Sequence, residues 1–243
     1  MPFHQFNNPK SMSPNSFDKL TVQECHLLYP SLLQNADRHI RAAILIAKTK
    51  EYGIANAHLT IAAEEYISAL SIYLKGWGLP VSQIKSLLRF FDEQGEGYTV
   101  SPGVVVMGVF VRSLYQIFER TTTSILNLSL PNLRSLFDKN MNPLYLVQQS
   151  NRYSTWWANA KILKDKGLYI QYNVELHTPA DITIDHYAQS LEIVSELKDN
   201  CLGVIAFTKK IPEKQRQQFF NWIKDYFEPL VGRLDSFPFN KIF

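Results

Sequence analysis

The sequence predicts an all-α protein. Three observations carry that expectation: apolar residues recur at helical spacing in successive segments, helix start and stop signals flank those segments, and a single short run has the composition of a strand. With 243 residues and 46% hydrophobic content, the chain has enough apolar material for one compact body with a sizeable core. The expected organisation is a flexible lead-in at 1–20 and a single helical domain at 21–243, closed by an aromatic helix at about 212–231.

Thr21, followed three residues later by Glu24, has capping-box spacing and opens a short helix that Pro30 is expected to end or kink. A longer helix follows, with Leu33, Ala36, Ile40, Ala43, Ile44 and Ala47 on one stripe. The next segment repeats the pattern with Ala55, Leu59, Ala62, Tyr66, Ala69 and Tyr73 and stops near Gly76, Gly78 and Pro80. Small residues on both stripes let two backbones approach closely, so these segments read as an antiparallel hairpin. A shorter amphipathic piece spans 81–91, and the charged, glycine-containing run 92–97 reads as a surface loop. Ser101 and Pro102 supply an N-cap and first-turn proline for a helix reaching Phe118. Another short element lies between Pro131 and Pro143. Pro143 starts a long helix through Trp156, Trp157 and Leu163, with Lys164 and Lys166 in its last turn and Gly167 as its C-cap. An extended segment is expected at 168–172, a loop at 178–180, and two more helices at 184–197 and 212–231.

Composition excludes several classes. Lys and Arg total 25 against 22 Asp and Glu, and a net charge of +3 is far from that of a nucleic-acid coat protein. Two cysteines, Cys25 and Cys201, argue against a disulfide scaffold and place the chain in a reducing compartment, with the cytoplasm as the expected location. The polar start, 1–18, lacks the basic and apolar regions of a secretory signal. The apolar run 103–111 is far short of the roughly 20 residues that span a bilayer, so no membrane partner is expected. Phosphate-binding loops, dinucleotide fingerprints, paired-cysteine zinc spacings and di-iron Glu-x-x-His motifs are all missing, so neither a cofactor nor a metal is expected.

A polar cluster on the hairpin remains. Asn35 and His39 are four residues apart on one face of the first helix. His58 and Glu65, seven apart, fall within about 20° of each other on the second, whereas Glu64 points nearly opposite the core. Asn35, His39 and Glu65 therefore form the candidate catalytic set, in which a His/carboxylate pair could do the acid–base work of metal-free RNA cleavage. In the competing reading His39 and Glu65 are a polar pair that holds the hairpin together, because buried polar groups are generally paired. Arg38 and Arg41 are either an exposed helix face or an RNA contact. Trp156, Trp157 and the aromatics at 219–227 read as core or interface before base-stacking platforms.

The run Asn35-Ala36, Arg38-His39-Ile40, Ala43 and Ile46, then Tyr52, Ala55 and Ala62-Ala63-Glu64-Glu65, resembles the AbiV family of phage abortive-infection proteins in the HEPN superfamily. The later Lys166-Gly167-Leu168-Tyr169-Ile170 and Thr178-Pro179 are similar to that family's second block. The resemblance covers about 31–200. It implies a HEPN-like helical bundle with additional helices, a homodimer, and a role in stopping phage propagation by acting on a phage protein, the translation machinery or RNA, with no DNA partner. Lys166 and Tyr169 then join Arg38 and Arg41 as positions for RNA or partner contact. Many HEPN toxins cleave RNA with an Arg and a His separated by four to six residues. No arginine here stands at that distance before any of the six histidines, and Tyr66-Ile67-Ser68 replaces the family's Gly-Lys after the paired glutamates. Three functions stay open: a binding effector, a metal-independent ribonuclease with an atypical site, and a structural helical interaction protein.

Overall fold

The computed structural model describes residues 19–78, 143–169, 171–172, 176–214, 216–217 and 221. The lead-in at 1–18, the elements expected at 81–91, 101–118 and between Pro131 and Pro143, and most of the helix expected at 212–231 lie outside the described residues.

Helix α1 runs from Val22 to Ala47. The Thr21 hydroxyl accepts the Glu24 N–H at 3.2 Å, and the Glu24 carboxylate accepts the Thr21 N–H at 2.7 Å, so two of the donors orphaned at the helix start are satisfied reciprocally. The break expected at Pro30 does not occur: Pro30 sits inside one continuous helix. Proline forfeits the bond to the His26 carbonyl, but the buried stripe Cys25, Tyr29, Ala36, Ile40, Ala43 runs unbroken past it, and burial of that stripe outweighs one lost hydrogen bond.

A tight turn at Lys48 to Lys50, with Lys50 at φ 67°, reverses the chain into α2, Tyr52–Gly76. The expected hairpin of α1 against α2 is present. Helix α3, Pro143–Leu168, and helix α4, Ile184–Lys210, both pack on α2 as well, which makes α2 the central helix of the described bundle. Its burial therefore extends beyond the expected stripe to Asn56, Ala57, Thr60 and Ala63. Glu64, expected to face away from the core, instead pairs with Lys164 of α3 at 2.6 Å, because the far side of α2 meets another helix rather than water.

The helix expected to stop at Leu197 continues to Lys210, carried by the buried residues Cys201, Val204, Ile205, Phe207 and Thr208. Between α3 and α4 lie two two-residue strands, β1 (Gln171–Tyr172) and β2 (Leu176–His177), paired antiparallel, and a 3-10 turn at Pro179–Asp181. Of the extended segment expected at 168–172, Gln171 and Tyr172 form a strand, whereas Leu168 belongs to α3. The fold class is all-α as expected.

Gly167 is not a left-handed cap. It lies within α3, where an added Cβ would collide with the Gly53 carbonyl, and a Cβ on Gly53 would approach Pro179 Cα to 2.9 Å. Three backbones therefore meet at two glycines, joining α3, the 3-10 turn and the start of α2. Trp156 and Trp157 are core residues, packed edge to face at 4.9 Å, and Trp156 donates to Ser190 of α4 at 2.9 Å. At the other end of α2, the Tyr73 and Thr208 hydroxyls hydrogen-bond at 2.6 Å. Among the described residues no helix is long and apolar enough to cross a membrane.

Candidate functional site

The antiparallel packing of α1 on α2 brings the expected polar residues together as two rungs along one seam. Asn35 Nδ2 donates to Glu65 Oε1 at 3.1 Å. One helical turn along α1, His39 Nδ1 meets His58 Nδ1 at 2.9 Å. The expected His39–Glu65 pair is corrected by this register. Glu65 lies seven residues beyond His58, about 10 Å along the α2 axis, so it meets the α1 residue one turn before His39.

The carboxylate is only half satisfied. Glu65 Oε2 is buried and has no hydrogen-bond partner. Burial pushes the Glu65 carboxyl above the usual range, the Asn35 bond pulls it partly back, and the neighbouring Glu64 charge raises it further. At the histidine rung burial lowers the His39 imidazole, and the His58 charge adds to the effect. The ring centroids lie 5.1 Å apart. Each Nδ1 is about 1.1 Å from its ring centre, so a 2.9 Å nitrogen contact with this centroid spacing is nearly head-on, the geometry of an N–H···N hydrogen bond.

A second polar group sits where α1, α2 and α4 meet. Asp37 accepts hydrogen bonds from the Tyr66 hydroxyl and, at 2.7 Å, from Lys198 Nζ. Burial raises the Asp37 carboxyl, yet Lys198 and Tyr66 outweigh it and hold the group below its ordinary value. The same burial, with the carboxylate beside it, drives the Tyr66 phenol upward.

The other expected contact residues are dispersed. Arg38 and Arg41 are exposed on α1. Lys166 and the exposed Tyr169 lie beside Gly167, hence near Gly53, twelve residues or about 18 Å along α2 from Glu65. Asp37 and Lys198 escaped the sequence reading, and Tyr66 entered it only as a member of the apolar stripe; Lys198 is 161 positions from Asp37, and no local pattern announces that pairing. His58 had a signal, since it shares a face with Glu65. Among the described residues no three His, Cys, Asp or Glu side chains are grouped to hold a metal ion.

The seam lies inside a recognised family region. Residues 24–199 match the family model of the AbiV proteins of the HEPN superfamily, a span that includes nearly all of α1, all of α2 and α3, and α4 as far as Asp199. The chain belongs to the AbiV family. No match is found among curated proteins or among solved structures. In this AbiV chain Arg38 and His39, adjacent in sequence, diverge as helical geometry requires: Arg38 is exposed while His39 is half-buried against His58.

Proposed function

We propose that this AbiV chain is an abortive-infection effector that binds a phage or translation component through the α1–α2 seam and blocks phage propagation, acting as a cytoplasmic homodimer. Membership of the family across 24–199 carries the reading. The seam supports it because it keeps a carboxylate oxygen buried without a partner, a feature that costs stability and adds nothing to packing. The aromatic content of 13% supports a buried interface between copies. The test is expression in a bacterial host followed by phage challenge, with plaque counts and bulk protein synthesis measured for wild type and Glu65→Gln. Protection by the wild type and its loss in the folded variant are expected, and equal plaque counts with and without the protein would overturn the reading. A 28.0 kDa species in sedimentation at micromolar concentration would remove the dimer.

A second reading is metal-independent RNA cleavage, favoured by the paired imidazoles of His39 and His58. A general base and a general acid are both needed at a phosphodiester, one at the attacking 2′-hydroxyl and one at the leaving oxygen. Asn35, His39 and Glu65 are the expected participants. RNA degradation by purified protein, abolished by His39→Ala, distinguishes this reading from pure binding.

A further inference from the structure

The His39–His58 contact constrains where hydrogens sit. Two Nδ1 atoms at 2.9 Å and nearly head-on require one to carry hydrogen and the other to be bare. In the neutral pair, the ring with Nδ1–H has a bare Nε2, and its partner, with a bare Nδ1, carries Nε2–H. The rung therefore offers two different nitrogens beyond the shared bond, one basic and one acidic. Both rings are half-buried, so neither is sealed in the core.

We propose that His58 is the relay partner of His39, and that the two imidazoles pass a proton across the α1–α2 seam. A proton taken up at the bare Nε2 makes the first ring cationic. Its Nδ1–H bond breaks as an N–H bond forms at the partner's Nδ1, and the partner then releases its Nε2 proton. One proton enters, one leaves, and both rings are neutral again with their tautomers exchanged. The reaction served is one that gives up a proton at one atom and takes one at another, as a phosphodiester does when its 2′-hydroxyl attacks and its leaving oxygen departs. That use on RNA rests on the second reading above, whereas the shared proton does not.

Nitrogen-15 spectra of the full-length protein test the relay directly. One ring of the pair in the Nδ1–H form, the other in the Nε2–H form and a coupling between the two Nδ1 nuclei are expected, and the coupling vanishes in His39→Gln. Two rings both in the Nε2–H form, with no coupling, would overturn the proposal. His58→Asn supplies a second readout, because its amide can hydrogen-bond His39 Nδ1 but cannot hand a proton on. With its melting temperature within about 3 °C of wild type, this variant should lose RNA-degrading activity by about 100-fold or more. RNA degradation within a few-fold of wild type would reduce His58 to a positioning role and overturn the relay. Should His58→Asn fail to fold, the spectra decide alone. Coupled imidazoles in a protein that leaves RNA intact would remove the ribonuclease reading and leave the relay standing.

Discussion

Asn35 holds one oxygen of Glu65 at 3.1 Å, while the other oxygen of that carboxylate is buried and receives nothing. The folded state thus keeps a charge poorly compensated, and its raised pKa records the cost. Because the unfolded chain releases this proton more readily, the native state is penalised above about pH 4.5 and relieved as pH falls. Glu65→Gln should therefore stabilise the fold at neutral pH, by on the order of 1 kcal/mol. Thermal unfolding across pH should show that advantage shrinking towards acid, and a variant less stable than wild type at pH 7 would contradict the assignment.

Ala43 and Ala62 are fully buried in the seam of the hairpin. Phenylalanine at either position should overpack it, costing about 1–3 kcal/mol or more. Unchanged denaturation midpoints in both variants would show that the two helices are not packed as described.

Gly53 faces backbone rather than a flexible side chain, so nothing nearby yields easily to a Cβ. Gly53→Ala is expected to destabilise by about 1–3 kcal/mol despite the better helix propensity of alanine. An increase in melting temperature would refute the close crossing.

Asp37 ties α1 to both Tyr66 and Lys198, so the two donors should be energetically coupled. A double-mutant cycle with Tyr66→Phe and Lys198→Met should give a coupling of about 0.5–3 kcal/mol. Because the Asp37 carboxyl is held low, its contribution is present above its unfolded value near 3.8 and lost as pH falls through its folded value. Wild type should accordingly lose more stability in acid than Lys198→Met, and additive substitutions with parallel acid profiles would show that the contact is not formed in solution.

Local chemistry alone determined much of this bundle. The Thr21–Glu24 capping box and the proline start of α3 are set by neighbours within a few residues, and the small-residue stripes of α1 and α2 by the helical period of their own segments, which is why they can be read from the sequence. Asn35 with His39, and Glu65 with His58, were readable as sharing a face of their own helix for the same reason. Tertiary structure decided the rest. Pro30 stays inside α1 because a continuous buried stripe overrides a local breaker, and α4 runs on past Leu197 because Cys201, Val204 and Phe207 find a core to enter. Gly167 belongs to a backbone crossing rather than a cap because Gly53 comes from another helix. The register of α1 on α2 pairs His39 with His58 and Glu65 with Asn35. Periodicity assigns each residue to a face, but which residues meet across two faces depends on the axial offset of the helices, and that offset is set by packing of the whole bundle.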